Sequence, residues 1–232
     1  MTHYDAVLFD MDGVTVTSAN AWRTLERETI LPTAANGVDV EAVRALSVAD
    51  SYDRLEATDS VSLNVDREGF VGLYDTYAEE VYHERADLMD GYERFVEGLR
   101  AAELAVGLVS ASCRDWVEMV LDRHELHDAY DVVLSADDVD GPSKPAPTPY
   151  QQAAAELDVD PERCLVVEDS LHGIESAVAA GAYCIALRGA GNRTTDLSKA
   201  DAIADDPTEL RETVTDLLDR TPSVGPTSAF ET

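Results

Sequence analysis

Lysine is almost absent from this sequence. Only Lys144 and Lys199 occur in 232 residues, and 17 basic residues in all stand against 47 acidic ones, a formal net charge of −30. So little positive charge argues against nucleic acids and anionic membranes as partners, since both are held by Lys and Arg against phosphate. The acidic residues are spread along the chain rather than gathered in a tail. A solvated acidic surface of this kind suits a halophilic protein, because concentrated salt screens its self-repulsion. An anionic substrate would have to be drawn in locally, by a metal ion or a few cations. Long apolar runs are lacking as well, so no segment approaches the ~18 residues of a membrane span. The N-terminus leads directly into an apolar run and shows no signal peptide. Cysteine is scarce: Cys113, Cys164 and Cys184 are an odd number without a C-x-x-C pair, which fits a reducing cytoplasm.

At 45% hydrophobic residues the chain can bury a core, and its length suits one domain or one plus an insert. Ala6–Phe9 is an apolar run that reads as a buried strand. Residues 17–86 then lose strand character. Ala19–Ile30 carries Trp22, Leu25 and Ile30 at helical spacing, and Pro32 is expected to stop it. Val38–Leu46 and Ser51–Ala57 read as shorter helices, the second capped by Asp50 or Ser51. Asp66 is expected to cap a longer helix with Phe70, Leu73, Tyr74, Tyr77 and Val81 as its apolar stripe. About 70 residues of helix interrupting an α/β pattern point to an inserted domain rather than a loop.

From residue 87 the alternation resumes. Helices are expected at Tyr92–Ala102, Asp115–His124, Pro149–Leu157, Ile174–Ala180 and Leu210–Leu218. Strands are expected at Leu104–Val109, Tyr130–Leu134, Cys164–Val167 and Tyr183–Leu187, with a short edge strand near Ala200–Ala204. The pattern predicts an α/β fold: a Rossmann-like, doubly wound parallel sheet core (1–16 and 87–220) with an inserted all-helical cap (17–86). Thr221–Thr232 reads as a disordered tail.

In such sheets ligands collect beyond the carboxyl ends of the strands. The polar residues there form a set. The first strand ends at Asp10-Met11-Asp12-Gly13, with Gly13 allowing a sharp turn. Leu104–Val109 ends at Ser110, followed by Ala111, Ser112 and Cys113. Cys164–Val167 ends at Glu168-Asp169-Ser170. Between them a stiff loop, Pro142-Ser143-Lys144-Pro145-Ala146-Pro147, presents one of the two lysines. Carboxylates from two strand ends suit a hard divalent cation, and Ser plus Lys suit phosphate oxygens. Each residue also has a plainer reading: Ser110 as a helix cap, Glu168 and Asp169 as acidic surface, Lys144 as a surface lysine.

Taken in order, Asp10-Met11-Asp12-Gly13-Val14, Ser110, Lys144-Pro145-Ala146-Pro147 and Glu168-Asp169-Ser170 resemble the four motifs of the haloacid-dehalogenase-like phosphohydrolases. The likeness is to the subgroup with a helical cap after the first strand, which includes phosphoglycolate phosphatases and β-phosphoglucomutases, and it covers about residues 4–205. The resemblance implies Asp10 as nucleophile forming an aspartyl-phosphate, and Asp12 as general acid and then base. It implies Mg²⁺ held by Asp10, the Asp12 main-chain carbonyl and Asp169, with Glu168 direct or through water. Ser110, Lys144 and backbone N–H groups at Met11–Gly13 would bind the phosphoryl oxygens. The implied substrate is a small phosphorylated metabolite, a sugar phosphate or phosphoglycolate-like acid; the oligomeric state is not indicated.

Relatives that cleave carbon–halogen bonds lack an acid at the Asp12 position, and phosphonate-cleaving ones use a cap lysine, of which residues 15–89 hold none. Sugar-phosphate mutases remain an alternative, although they carry an arginine and a histidine where Val48 and Trp22 stand. A catalytically idle ligand-binding protein is a second. Other features have plain readings. Asp137-Asp138-Val139-Asp140-Gly141 lacks the glutamate of a calcium loop, and His124-Glu125-Leu126-His127 has the wrong spacing for a zinc helix. Arg44, Arg54 and Arg67 are expected in surface ion pairs.

Overall fold

The computed structural model describes residues 3–38, 43 and 46–219. The chain starts in β1 (Ala6–Phe9), turns at Gly13, and leaves the sheet through α1 (Ala19–Leu25), a π-helical turn (Glu26–Ile30) and α2 (Leu31–Ala34). A two-residue strand, β2 (Ala35–Asn36), precedes α3 (Val48–Glu56) and pairs antiparallel with β3 (Ser62–Leu63). Next come α4 (Arg67–Glu80) and a second π-helical turn (Val81–Arg85). The alternating part then runs α5 (Tyr92–Ala101), β4 (Ala105–Val109), α6 (Arg114–Arg123), β5 (Val132–Leu134), α7 (Thr148–Glu156) and β6 (Cys164–Glu168). It ends with α8 (Leu171–Ala180), β7 (Tyr183–Leu187), β8 (Ala202–Ala204) and α9 (Pro207–Asp219).

The six long-range strands form one parallel sheet in the order β5-β4-β1-β6-β7-β8. From β1 the chain winds outward through β4 and β5, then returns to place β6 on the other side of β1. That reversal opens a crevice at the carboxyl ends of β1, β4 and β6. Every residue of β1 is buried because both faces are covered. Ala6 and Leu8 pack with Tyr150, Ile174 and Ala177 on one face, while Val7 and Phe9 join Phe95, Val96 and Trp116 on the other. Phe9 meets Tyr92 and Phe95 edge-on at 5.4 and 5.7 Å between ring centres, each pair worth about 0.5–1.5 kcal/mol beyond burial.

The inserted helices are tied to the sheet where their two connections meet: Thr17 N–H donates to Asp87 O and Met89 N–H to Thr15 O. The second apolar cluster continues from the sheet into them through Trp22, Tyr74 and Tyr82. Three details differ from expectation. Pro32 does not stop the first helix, because it sits in the first turn of α2, where a missing N–H costs nothing. Ser47, not Asp50 or Ser51, caps α3 by accepting from Asp50 N–H at 3.0 Å. The β2–β3 pair is too short to leave a period-2 signal. Asp66 does cap α4. The expected helix Val38–Leu46 falls largely outside the described residues, as do Arg44 and the tail Thr221–Thr232. Among the described residues no helix is long and apolar enough to cross a membrane.

Asp137 and Asp138 serve the fold. Asp137 accepts from Arg114 N–H at the start of α6, while Asp138 accepts from Ser135 N–H and from the Arg114 guanidinium. Partial burial pulls the Asp138 carboxyl upward, but the Ser135 donors and Arg114 outweigh it and hold it below the ordinary range. A lowered folded-state pKa contributes stability that is present above the ordinary aspartate value and lost as pH falls through the folded one. Asp138→Asn should therefore cost about 1 kcal/mol at neutral pH, discounted for exposure. Denaturant titrations should show the gap between wild type and variant closing in acid; a pH-independent gap would contradict this.

Candidate active site

The site is built around Lys144. Its Nζ donates to Asp10 Oδ1 at 2.7 Å, Glu168 Oε1 at 2.7 Å and Val109 O at 2.9 Å, so all three hydrogens of the ammonium are used. Those acceptors stand at the ends of β1, β6 and β4, and the three side chains are nearly closed to solvent. Burial pushes the Asp10 carboxyl up, with Lys144 pulling it back and Glu168 and Asp12 adding repulsion. Burial alone would lower Lys144, yet the carboxylates of Asp10 and Glu168 hold it above the ordinary lysine range. The ammonium stays charged, and two carboxylates compete for it.

Glu168 is fully enclosed. Oε1 also accepts from Tyr150 OH at 2.7 Å, and Oε2 accepts from Asp169 N–H, Ser170 N–H and Ser170 Oγ–H. Ser170 in turn caps α8 by accepting from Gly173 N–H at 3.0 Å. Gly173 must lack a side chain, because a Cβ would lie 1.8 Å from Glu168 Oε1. Gly13 has φ +94° and backs onto Asp169, whose Oδ2 would be 2.2 Å from a Cβ there. Asn192 Nδ2 ties Asp169 O to Leu187 O, joining the ends of β6 and β7. Carboxylate oxygens of Asp10, Glu168 and Asp169 thus lie within 4.8 Å of one another. Three carboxylates with one ammonium, bonded to two of them, leave the cluster anionic, and an all-oxygen donor set of this kind fits Mg²⁺.

Asp12 is held separately. Its Oδ1 accepts from Ser18 Oγ–H, its Oδ2 from Ser112 Oγ–H at 2.8 Å, and Tyr82 OH approaches both at 3.0 and 3.2 Å. Burial raises the Asp12 carboxyl, opposed by the donors Ser18, Ser112 and Tyr82. Tyr82 stays protonated, raised well above the ordinary tyrosine range by burial and by Asp12.

A cavity of about 150 Å³ opens over Asp10, Asp12, Lys144 and Asp169. Inserted helices supply Trp22, Arg23, Glu26 and Tyr74 to its wall; the sheet side supplies Ala111, Ser112 and Trp116. Trp22 and Trp116 stack at 5.1 Å, and Tyr74 OH donates to Glu26 Oε1 at 3.1 Å. The residues expected from sequence converge here, but not all face the cavity. Glu168, Ser110, Met11 and Gly13 lie behind its wall. Ser110 is buried, accepts from Ser112 N–H at 3.0 Å, and does not cap α6, which begins after Cys113. Arg67 pairs with Asp53, Arg54 is exposed on α3, and Lys199 pairs with Glu175. Sequence reasoning missed Ser18, Tyr82, Tyr150 and Asn192 and gave Ser112, Trp22 and Trp116 no role. Ser18 and Ser112, hydroxyls within two to six residues of motif positions, carried the one usable signal.

A family model described as haloacid dehalogenase-like hydrolase matches residues 4–181. Hexitol phosphatase B of Escherichia coli is 30% identical over 191 residues, covering 75% of this chain and 79% of that enzyme. Validoxylamine A 7'-phosphate phosphatase of Streptomyces hygroscopicus is 30% identical over 220 residues, 90% of this chain and 96% of that enzyme. Among solved structures, β-phosphoglucomutase of Clostridium difficile superposes with TM-score 0.71 at 23% identity, covering 94% of this chain and 98% of that one. At that identity the likeness is one of fold.

Lys144→Met should leave Asp10 and Glu168 buried without their cation, a loss of about 3–5 kcal/mol at neutral pH. Asp10, already raised by burial, would then take up a proton more readily folded than unfolded. A raised carboxyl penalises the fold above its folded pKa, and the penalty fades as pH falls toward the unfolded value. Wild-type Asp10 is itself raised to about 8, so below that pH both proteins carry this penalty alike. The deficit in unfolding free energy should therefore widen as pH rises above about 8; a deficit that stays constant there would count against a buried ion triad.

Proposed function

The chain belongs to the haloacid dehalogenase-like hydrolases, and from that premise we propose that it is a Mg²⁺-dependent phosphatase of a small phosphorylated metabolite, a sugar phosphate or phosphoglycolate-like acid. The observation that carries this reading is the carboxylate cluster of Asp10, Glu168 and Asp169, two of them bonded to Lys144, beneath a cavity that also exposes Asp12. A cavity of about 150 Å³ walled by inserted helices suits a small ester and shuts out polymers. Among these residues none expected for the chemistry is missing, which speaks against an idle binder.

In the reaction a carboxylate oxygen of Asp10 attacks phosphorus. The phosphorus–oxygen bond of the ester breaks, its electron pair stays on the leaving oxygen, and Asp12 gives that oxygen its proton. Asp12, now ionised, takes a proton from a water that attacks the aspartyl-phosphate, which releases phosphate and restores the Asp10 carboxylate. Lys144 screens the approach of the anionic nucleophile. With its three hydrogens given to Asp10, Glu168 and Val109 O, it would meet a phosphoryl oxygen only by exchanging one of them. Ser110 and the main chain at Met11 and Gly13 lie behind the cavity wall, with Gly13 N–H given to Val16 O, and would likewise have to turn toward the cavity to add donors. Mg²⁺, held by Asp10, Asp169 and the Asp12 carbonyl, would neutralise phosphate charge. Glu168 already accepts from five protein donors, so we place it around the metal, through water, and not directly upon it. We set the activity in the cytoplasm and in concentrated salt, on the acidic composition and three free cysteines.

The test is phosphate release from a panel of small esters in concentrated KCl with Mg²⁺. Wild type should turn over, chelator should stop it, and Asp10→Asn should lose at least about 10³-fold. No release by folded wild type would overturn the reading, and release dependent on an added sugar bisphosphate would indicate a mutase.

A further inference from the structure

A carboxylic acid that must hand its proton to a leaving oxygen has to be held about its Cβ–Cγ bond, or it loses the orientation that makes the transfer fast. Ser18 and Ser112 each hold one oxygen of Asp12. Tyr82 is different. Its hydroxyl lies 3.0 Å from Oδ1 and 3.2 Å from Oδ2, so one donor spans both oxygens. Its ring packs against the side of the stacked Trp22–Trp116 pair, at 5.8 and 6.0 Å between centres, and its main-chain carbonyl accepts from the Arg123 guanidinium. The indole N–H of Trp22 donates to the same hydroxyl at 3.1 Å. Ser112 Oγ also lies 3.4 Å from it, so the nearest acceptors for the one hydrogen of Tyr82 are the Asp12 oxygens.

We propose that Tyr82 is the positioning residue for Asp12, and that the chain Trp22 to Tyr82 to Asp12 makes the orientation of the acid depend on the inserted helices. Trp22 and Tyr82 both lie in that insert, on α1 and the second π-helical turn, while Asp12 follows β1. Only with the insert seated against the sheet do the three meet. The inference rests on Asp12 acting as the acid of the proposed phosphatase. The alternative is that Tyr82 is a core aromatic whose hydroxyl merely finds a nearby acceptor.

The two are separated by the leaving group. An alkyl phosphate needs a proton on its departing oxygen; 4-nitrophenyl phosphate departs as a stabilised anion without one. Single-turnover release of the alcohol or phenol isolates this step from hydrolysis of the phosphoenzyme. Tyr82→Phe, which keeps the ring, should slow alkyl release by about tenfold or more and nitrophenyl release by no more than about twofold. Trp22→Phe, which removes the N–H donor together with part of the ring stacked on Trp116, should slow both esters through lost packing but alkyl release more, repeating the asymmetry at smaller size, and serves if the first variant folds poorly. Equal slowing of both esters, or of neither, would overturn the proposal. If wild type releases neither leaving group, the phosphatase reading itself has failed and this inference falls with it, an outcome distinct from symmetric slowing.

Discussion

The buried ammonium of Lys144 is the constraint on which the rest of the structure depends. Removing a charge from water costs several kcal/mol unless partners compensate it. Here Asp10, Glu168 and the Val109 carbonyl do so at 2.7–2.9 Å. Because each acceptor ends a different strand, one side chain aligns three carboxyl ends of the sheet. Glu168 then organises what lies behind, through Tyr150, the Ser170 cap and the bare backbone of Gly173. The same triad that secures the fold leaves Asp10 at the cavity floor with an excess of negative charge around it. Stability and chemistry draw on one set of groups.

The inserted helices supply the second constraint. They close the cavity with stacked indoles and place Tyr82 against Asp12, while the paired connections at Thr15–Thr17 and Asp87–Met89 bring them back to the sheet. Asp10 is thus held from the sheet side, and Asp12 is held partly from the insert. Any motion of the insert would reach Asp12 before it reached Asp10.

Much of this was legible in the residues. β1 and β7 have the bounds their apolar runs indicate, and the helices of the alternating part begin within about three residues of where they are expected, α8 and α9 early by that much. The four motif segments do meet at one sheet edge. Other features left no local trace. Tyr82 follows Val81 in what reads as an ordinary apolar stripe, and nothing along α6 distinguishes Trp116 from a core residue. Asn192 falls in a polar loop after β7, although its amide bridges two strand ends. Pro32 misled because a π-helical turn precedes it, and no pattern of apolar residues announces such a turn.

By itself the sequence determined the order of strands and helices, the acidic surface, which carboxylates and hydroxyl sit at strand ends, and which loop presents the lysine. These follow from periodicity, composition and residues a few positions apart. Tertiary structure decided which oxygen each donor meets. Lys144 reaches Asp10 across 134 residues, Ser112 reaches Asp12 across 100, and Tyr82 reaches Asp12 across 70. Such pairings carry no local signal. They arise when a parallel sheet brings distant strand ends side by side and burial leaves every polar atom there in need of a partner.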